Sequence, residues 1–262
     1  MGFAYAAYLY LTLPDVRPLR AQNPTDTAFM RVRESAAHAQ GKPVAKDQRW
    51  VTYARISPQL KRAVIATEDS AYWQHDGVDY DQLRDAVETD WEHGEFARGA
   101  STITQQLAKN LYLTPDKNPL RKLKELLITR RLEVELSKQR ILEIYLNVIE
   151  WGDGVWGAEA AARRYFHTSA AELTAPEAAL LAGAIANPHL MDPGHPSARL
   201  RRRQQMIMRR MGAVTPPPVV ASPAVPALPE GPVVPALPSL PDAGAPTVLP
   251  GSPERIRIGA GL

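Results

Sequence analysis

Leu60, Val64 and Ile65 share one face of a helix, and Leu123, Leu126, Leu127, Ile128, Leu132, Val134 and Leu136 recur at helical spacing. Leu142, Tyr145 and Leu146 resume the pattern after Ser137. Residues Ala178 to Ala186 are apolar on every side, which predicts a buried central helix. Thr174, followed by Pro176 and Glu177, supplies the N-terminal cap of that helix. The apolar–polar alternation of a half-buried strand is scarce. The pattern predicts an all-α domain without internal repeats.

The pattern stops at both ends. Thirteen of the 24 prolines lie between Pro216 and Pro253. Proline fixes φ and removes a backbone donor, so no helix survives there. Residues 213–262 read as a disordered, partly polyproline II tail, either a spacer or a ligand for a polyproline-binding partner. Residues 1–14 carry no charge but fall short of the roughly 20 apolar residues of a membrane span. They read as a buried segment or as the last part of a membrane helix that begins upstream of Met1. We take the second as the expectation, because Tyr5, Tyr8 and Tyr10 suit the interfacial belt. Residues 15–212 remain as the functional body.

Composition narrows the chemistry. The chain has 45% apolar and 23% charged residues, normal for a globular domain. It has no cysteine, which excludes a thiol nucleophile, disulfides and Cys-ligated metals. A net charge of +3 is too weak to argue a nucleic-acid partner, and none is expected.

Four clusters remain. In the first, Glu68 and Asp69 arrive at the C-terminal end of an apolar helix, the electrostatically unfavourable end for acids, and Tyr72, Trp73, His75 and Gly77 follow. A carboxyl beside aromatics in a cleft can have its pKa raised toward a general base. The Glu68, Asp69 and His75 spacing matches no metal-ligand template, so no metal set is assigned. The second cluster runs from Arg98 to Asn110. Ser101 or Thr102 can cap a helix there, with Thr102, Gln106 and Lys109 on one face. That helix start can hold an anion such as phosphate.

In the third cluster Arg121, Lys122 and Lys124 surround Glu125 at a helix start, where basic residues oppose the helix dipole. They form either a solvated charged face or a site for an anionic ligand that offsets this cost. The fourth, Gly152-x-Gly154-x-x-Gly157, follows a helix rather than a strand. It is no dinucleotide fingerprint, and the glycines are expected to let two helices pack closely. Arg199 to Arg203, with Arg209 and Arg210, make a basic terminal helix facing nucleic acid, anionic lipid or solvent.

Taken in order, these clusters resemble the peptidoglycan glycosyltransferases, specifically the monofunctional biosynthetic transglycosylases. The first matches that family's EDxxFxxHxG, with Tyr72 for Phe. The second matches GGSTITQQxxKN, with Ala100 for the second Gly, and the third matches RKxxE. Arg130 to Lys138 with Ile141 to Asn147, and Gly152 to Phe166, match two further motifs.

The resemblance implies a lysozyme-like helical glycosyltransferase domain over residues 15–212, a membrane-associated subdomain around residues 84–120, a partial anchor at 1–14 and an accessory tail from 213. It implies an enzyme of the cytoplasmic (inner) membrane, single-pass, with its catalytic domain on the outer face. That enzyme would polymerise lipid II into β-1,4-linked glycan and release undecaprenyl pyrophosphate. Glu68 corresponds to the general base and Glu125 to a second carboxylate near the donor pyrophosphate or its metal, Mg2+ or Mn2+. Lys109, Arg121 and Lys122 correspond to phosphate contacts, Thr102 and Gln106 to substrate-positioning residues, and Asp69 and His75 to supports of the base. The implied partners are lipid II, the lipid-linked glycan chain, the membrane and proteins of cell-wall synthesis.

No serine has a lysine three residues later, so no transpeptidase nucleophile is expected. The competing reading is a lysozyme or lytic transglycosylase that cleaves the polymer with Glu68 as acid. Such an enzyme has no pyrophosphate to neutralise and no use for the basic clusters. A non-catalytic membrane scaffold is the third.

Overall fold

Hydroxyl side chains fix where most helices begin. A computed structural model of the chain describes residues 11–84, 101–115 and 119–212. Thr27 caps α1 (Ala28–Ala39), accepting from the Met30 N–H. Ser57 caps α2 (Pro58–Glu68), and Thr102 caps α3 (Ile103–Tyr112) in a capping box with Gln105. α4 (Pro119–Glu135) leads to Ser137, which caps α5 (Lys138–Val148). α6 (Ala158–Phe166) starts after Gly157. α7 (Ala175–Ala184) has its capping box at Thr174, where Glu177 accepts from both the Thr174 N–H and its hydroxyl. Ser197 caps α8 (Ala198–Met211).

The helical reading holds, with one addition. A three-stranded sheet joins β1 (Asp47–Gln48), β2 (Glu150–Gly152) and β3 (Val155–Trp156) in the order β1-β3-β2. β1 runs parallel to β3, and β2 runs antiparallel to it. The helix expected to run through Trp151 therefore ends at Val148, and Glu150 and Trp151 turn into a strand. The expected close packing of helix ends does occur at Gly157. Its φ is +85°, and a methyl group there would lie 2.6 Å from the Asn147 carbonyl oxygen, so only glycine fits easily.

The core forms where the helical stripes meet. Leu60, Val64 and Ile65 of α2, Leu107 of α3, Ile128 and Leu132 of α4 and Leu142 of α5 are buried. Each such side chain contributes about 1.5–3 kcal/mol by leaving water. α7 is buried from Ala178 to Ala184, as its all-apolar sequence predicts. α4 differs from expectation: Leu123 and Val134 are exposed, because the helix buries only the stripe through Glu125, Ile128, Thr129 and Leu132. A carboxylate thus sits on the core-facing stripe of α4.

α2 packs against α7 and α8, whereas α3 packs against α4 and α5. Glu68, the last residue of α2, lies where these two groups of helices adjoin. Among the described residues no helix is long and apolar enough to cross a membrane. Residues 1–10 of the expected anchor, residues 85–100 and 116–118 of the expected membrane-associated subdomain, and the tail from 213 lie outside the described residues.

Candidate active site

Asp69 fixes the direction in which Glu68 points. It is buried, and its Oδ2 accepts from the Ile103 N–H at 2.9 Å, which ties the end of α2 to the first turn of α3. Its Oδ1 lies 2.8 Å from His75 Nε2, while His75 Nδ1 accepts from the Gly77 N–H at 3.0 Å. With Nδ1 an acceptor, Nε2 carries the hydrogen that goes to Asp69. Gly77 closes the loop with φ +88° against α4, where a methyl group would meet Thr129 Cγ2 at 2.7 Å. The Thr102 hydroxyl donates to the Gly77 carbonyl at 2.7 Å and also caps α3. The loop 69–77 and the start of α3 are therefore one hydrogen-bonded unit.

On that unit the Glu68 carboxylate meets α3. Glu68 Oε2 accepts from Gln106 Nε2 at 3.0 Å, and Gln106 Oε1 accepts from the Tyr145 hydroxyl at 2.8 Å. Tyr145 is fully buried, and burial holds its hydroxyl well above the usual phenol range, so it stays a donor. Burial pushes the Glu68 carboxyl up; the Gln106 amide, Arg203 and Lys109 pull it back, and the Asp69 charge adds to the rise. Burial also pulls the Lys109 ammonium down. Glu125 and Glu68 oppose that shift, while Arg121 and Lys122 reinforce it. Lys109 thus feels both carboxylates.

Glu68, Gln106 and Lys109 line one cavity of about 790 Å³ together with Ser101, Asn187, Met191, Arg199, Arg203 and Arg210. An acid held by an amide in a half-buried cleft, with cations around it, can accept a proton from a hydroxyl and tolerate an anion beside it.

The other sequence-predicted residues take different places. Thr102 is fully buried, with its hydroxyl engaged in structure, and does not line this cavity. Asp69 and His75 stand behind Glu68, and His75 borders a neighbouring cavity of about 820 Å³ with Lys122. Glu125 is buried and paired within its own helix, to Arg121 at 2.9 Å and Lys122 at 2.5 Å.

Two features were missed from sequence. Tyr145 read only as a core position, since a tyrosine on an apolar face carries no sign of the amide it holds. The arginines of α8 read as a surface run. Their spacing, with Arg203 four residues and Arg210 eleven residues after Arg199, places the three on one helix face and was the available signal.

Comparison with known proteins agrees over this region. A family model described as Transglycosylase matches residues 34–212. The chain is 49% identical over 195 residues to the biosynthetic peptidoglycan transglycosylase of Herminiimonas arsenicoxydans, covering 74% of this chain and 84% of that protein. It is 50% identical over 189 residues to the protein of that name from Methylobacillus flagellatus, covering 72% and 82%. With that of Chromobacterium violaceum it shares 46% over 215 residues, covering 82% and 94%.

Proposed function

The chain belongs to the transglycosylase family and is a peptidoglycan glycosyltransferase of the cell envelope; from that premise we propose that the Glu68 cavity joins lipid II units into β-1,4-linked glycan. The observation that carries the proposal is the Glu68 carboxyl itself: raised by burial, held by Gln106 and open to the cavity.

Glu68 accepts the proton of the acceptor's sugar 4-hydroxyl. The oxygen left behind forms its bond to the donor's anomeric carbon while the bond from that carbon to the pyrophosphate oxygen breaks. The electron pair leaves with undecaprenyl pyrophosphate. A sugar hydroxyl is a poor nucleophile, and base assistance is worth about 10²–10⁴-fold. Lys109 lies between the two carboxylates in electrostatic terms and offsets the charge that develops on the leaving group. Arg121 and Lys122, whose charges act on Lys109, are assigned to the same pyrophosphate. Asp69, His75 and Thr102 hold the frame, and Gln106 orients the base.

A divalent ion does not fit the carboxylates of this site. Both Glu125 oxygens accept from cationic side chains. The trio Asp69, His75 and Asp79 has closely spaced ligand atoms, but both Asp69 oxygens and both His75 nitrogens are already bonded. No step is therefore routed through a metal. Mg2+ or Mn2+ in this reading arrives on the substrate's pyrophosphate.

Placement at the inner membrane with the cavity on its outer face, anchored through the first residues, is part of the same proposal. It follows from substrates that are lipid-tethered at both ends of the reaction. Partnership with other cell-wall synthesis proteins also remains a proposal. The test offers the purified protein lipid II and, separately, intact peptidoglycan. Polymer from lipid II is expected; solubilised fragments of peptidoglycan with no polymer would overturn the reading in favour of a cleaving enzyme.

A further inference from the structure

Lys109 is half-buried in the Glu68 cavity, yet no carboxylate holds it. Among the described residues its ammonium has no hydrogen-bond or ion-pair partner. What it has is a ring: Nζ lies 5.6 Å from the ring centroid of Phe29 on α1. A cation within about 6 Å of an aromatic face is attracted by the ring quadrupole. Other cations here are held differently. Lys61 and Lys138 also stand over rings, but Lys61 donates to the Tyr53 carbonyl at 3.0 Å and Lys138 is paired with Glu133 at 2.8 Å. Arg121 and Lys122 are both paired with Glu125. Phe29 itself is set by the start of α1. Thr27 is fully buried and accepts from the Met30 N–H at 3.1 Å, and Ala28 and Met30 on either side of Phe29 are buried. α1 packs against α3, the helix that carries Gln106 and Lys109. Phe29 lies ahead of the residues 34–212 that the family model matches.

We propose that Phe29 is a positioning residue, whose ring holds the Lys109 ammonium where charge develops on the departing pyrophosphate. This rests on the polymerase reading above. The kind of partner is what matters. A carboxylate would neutralise the ammonium and would have to be released when the pyrophosphate arrives. A ring face attracts a cation but carries no net charge, so it restrains the side chain and leaves the full charge to the substrate. The ring also favours the charged form of an ammonium that burial disfavours.

The experiment measures polymerisation of lipid II in detergent micelles by the full chain carrying Phe29→Leu or Phe29→Tyr. Leucine keeps an apolar side chain without a π face, and tyrosine keeps the face. A control chain carries Val32→Ala, a loss of half-buried packing three residues further along α1. Phe29→Leu is expected to lower kcat about threefold to tenfold, with KM changed less than twofold. Phe29→Tyr and the control are expected to keep the parent's kcat. Melting temperatures establish that the variants fold, and Phe29→Met, which also lacks a π face, replaces the leucine variant if that one does not.

A parental kcat in Phe29→Leu overturns the proposal. So does an equal loss in Phe29→Leu and Phe29→Tyr, or in Val32→Ala, since Phe29 would then serve only to pack α1. A raised KM with kcat intact overturns it as well, because the ring would then act on substrate binding and not on the breaking bond. If the unmodified chain makes no polymer, the reading of function fails; if it polymerises and Phe29→Leu matches it, only the role of Phe29 does.

Discussion

The Tyr145 hydroxyl donates to Gln106 Oε1 at 2.8 Å, and this bond decides which way the Gln106 amide faces. With its oxygen engaged by a buried donor, the amide turns its Nε2 to Glu68. The orientation of the base is thus set two hydrogen bonds away, from the C-terminal half of α5.

Tyr145→Phe is expected to lower kcat about threefold to tenfold, the worth of one net hydrogen bond. The direction of its pH effect follows from the Gln106 bond, which favours the charged form of Glu68. Loosening that bond lets the carboxyl rise further, so the acid limb of the kcat/KM profile moves to higher pH. A merely structural role would lower the plateau without moving the limb.

The wild-type profile has its own sign. Glu68 must be ionised to accept a proton, and burial raises its pKa. Activity therefore falls on acidification at a pH above the ordinary glutamate range. An acid limb within that range would contradict the burial argument.

Asp69→Ala removes the acceptor of the buried Ile103 N–H and of the His75 ring. A stability loss of about 2–3 kcal/mol is expected, read as a fall of about 5–10 °C in Tm. A variant that melts like the parent would mean the loop and α3 are tied by other bonds.

Gly77→Ala tests the same junction from the other side. The new methyl meets Thr129 and Glu133 below 3 Å on a backbone at φ +88°. A loss of about 1–3 kcal/mol is expected from the overpacking, with the strained φ adding to it. Urea denaturation provides the check through the midpoint at unchanged slope.

Much of this was legible in the chain because helix starts and buried stripes depend on neighbours three or four residues apart. The caps at Thr102 and Thr174, and the buried α7, follow directly from such spacing. Glu68, Asp69, His75, Gln106 and Lys109 stood out because polar groups interrupt apolar runs. The hairpin at Glu150–Trp156 was not legible: its strands are two or three residues long and are held by β1, about a hundred residues earlier. The Tyr145 bond and the α8 stripe were hidden for the same reason, since both depend on which helices meet. Thr102 shows the converse: its cap and its place on the same face as Gln106 were readable, but not that its hydroxyl would also donate to the Gly77 carbonyl.

Substituting the base also has a stability sign. A carboxyl whose folded pKa is raised binds its proton more tightly in the folded state. Its ionised form therefore lowers stability as pH rises from the ordinary glutamate value through the raised one. At neutral pH Glu68→Gln should keep or increase Tm, and a clear decrease would count against the buried ionised base.

The most direct measurement is lipid II polymerisation by Glu68→Gln beside the unmodified chain, followed by electrophoresis of the glycan product at neutral pH. The parent is expected to make polymer, and the variant to be slower by about 10²–10⁴-fold with lipid II binding retained. A variant that polymerises at the parent's rate would contradict the assignment of Glu68 as the base.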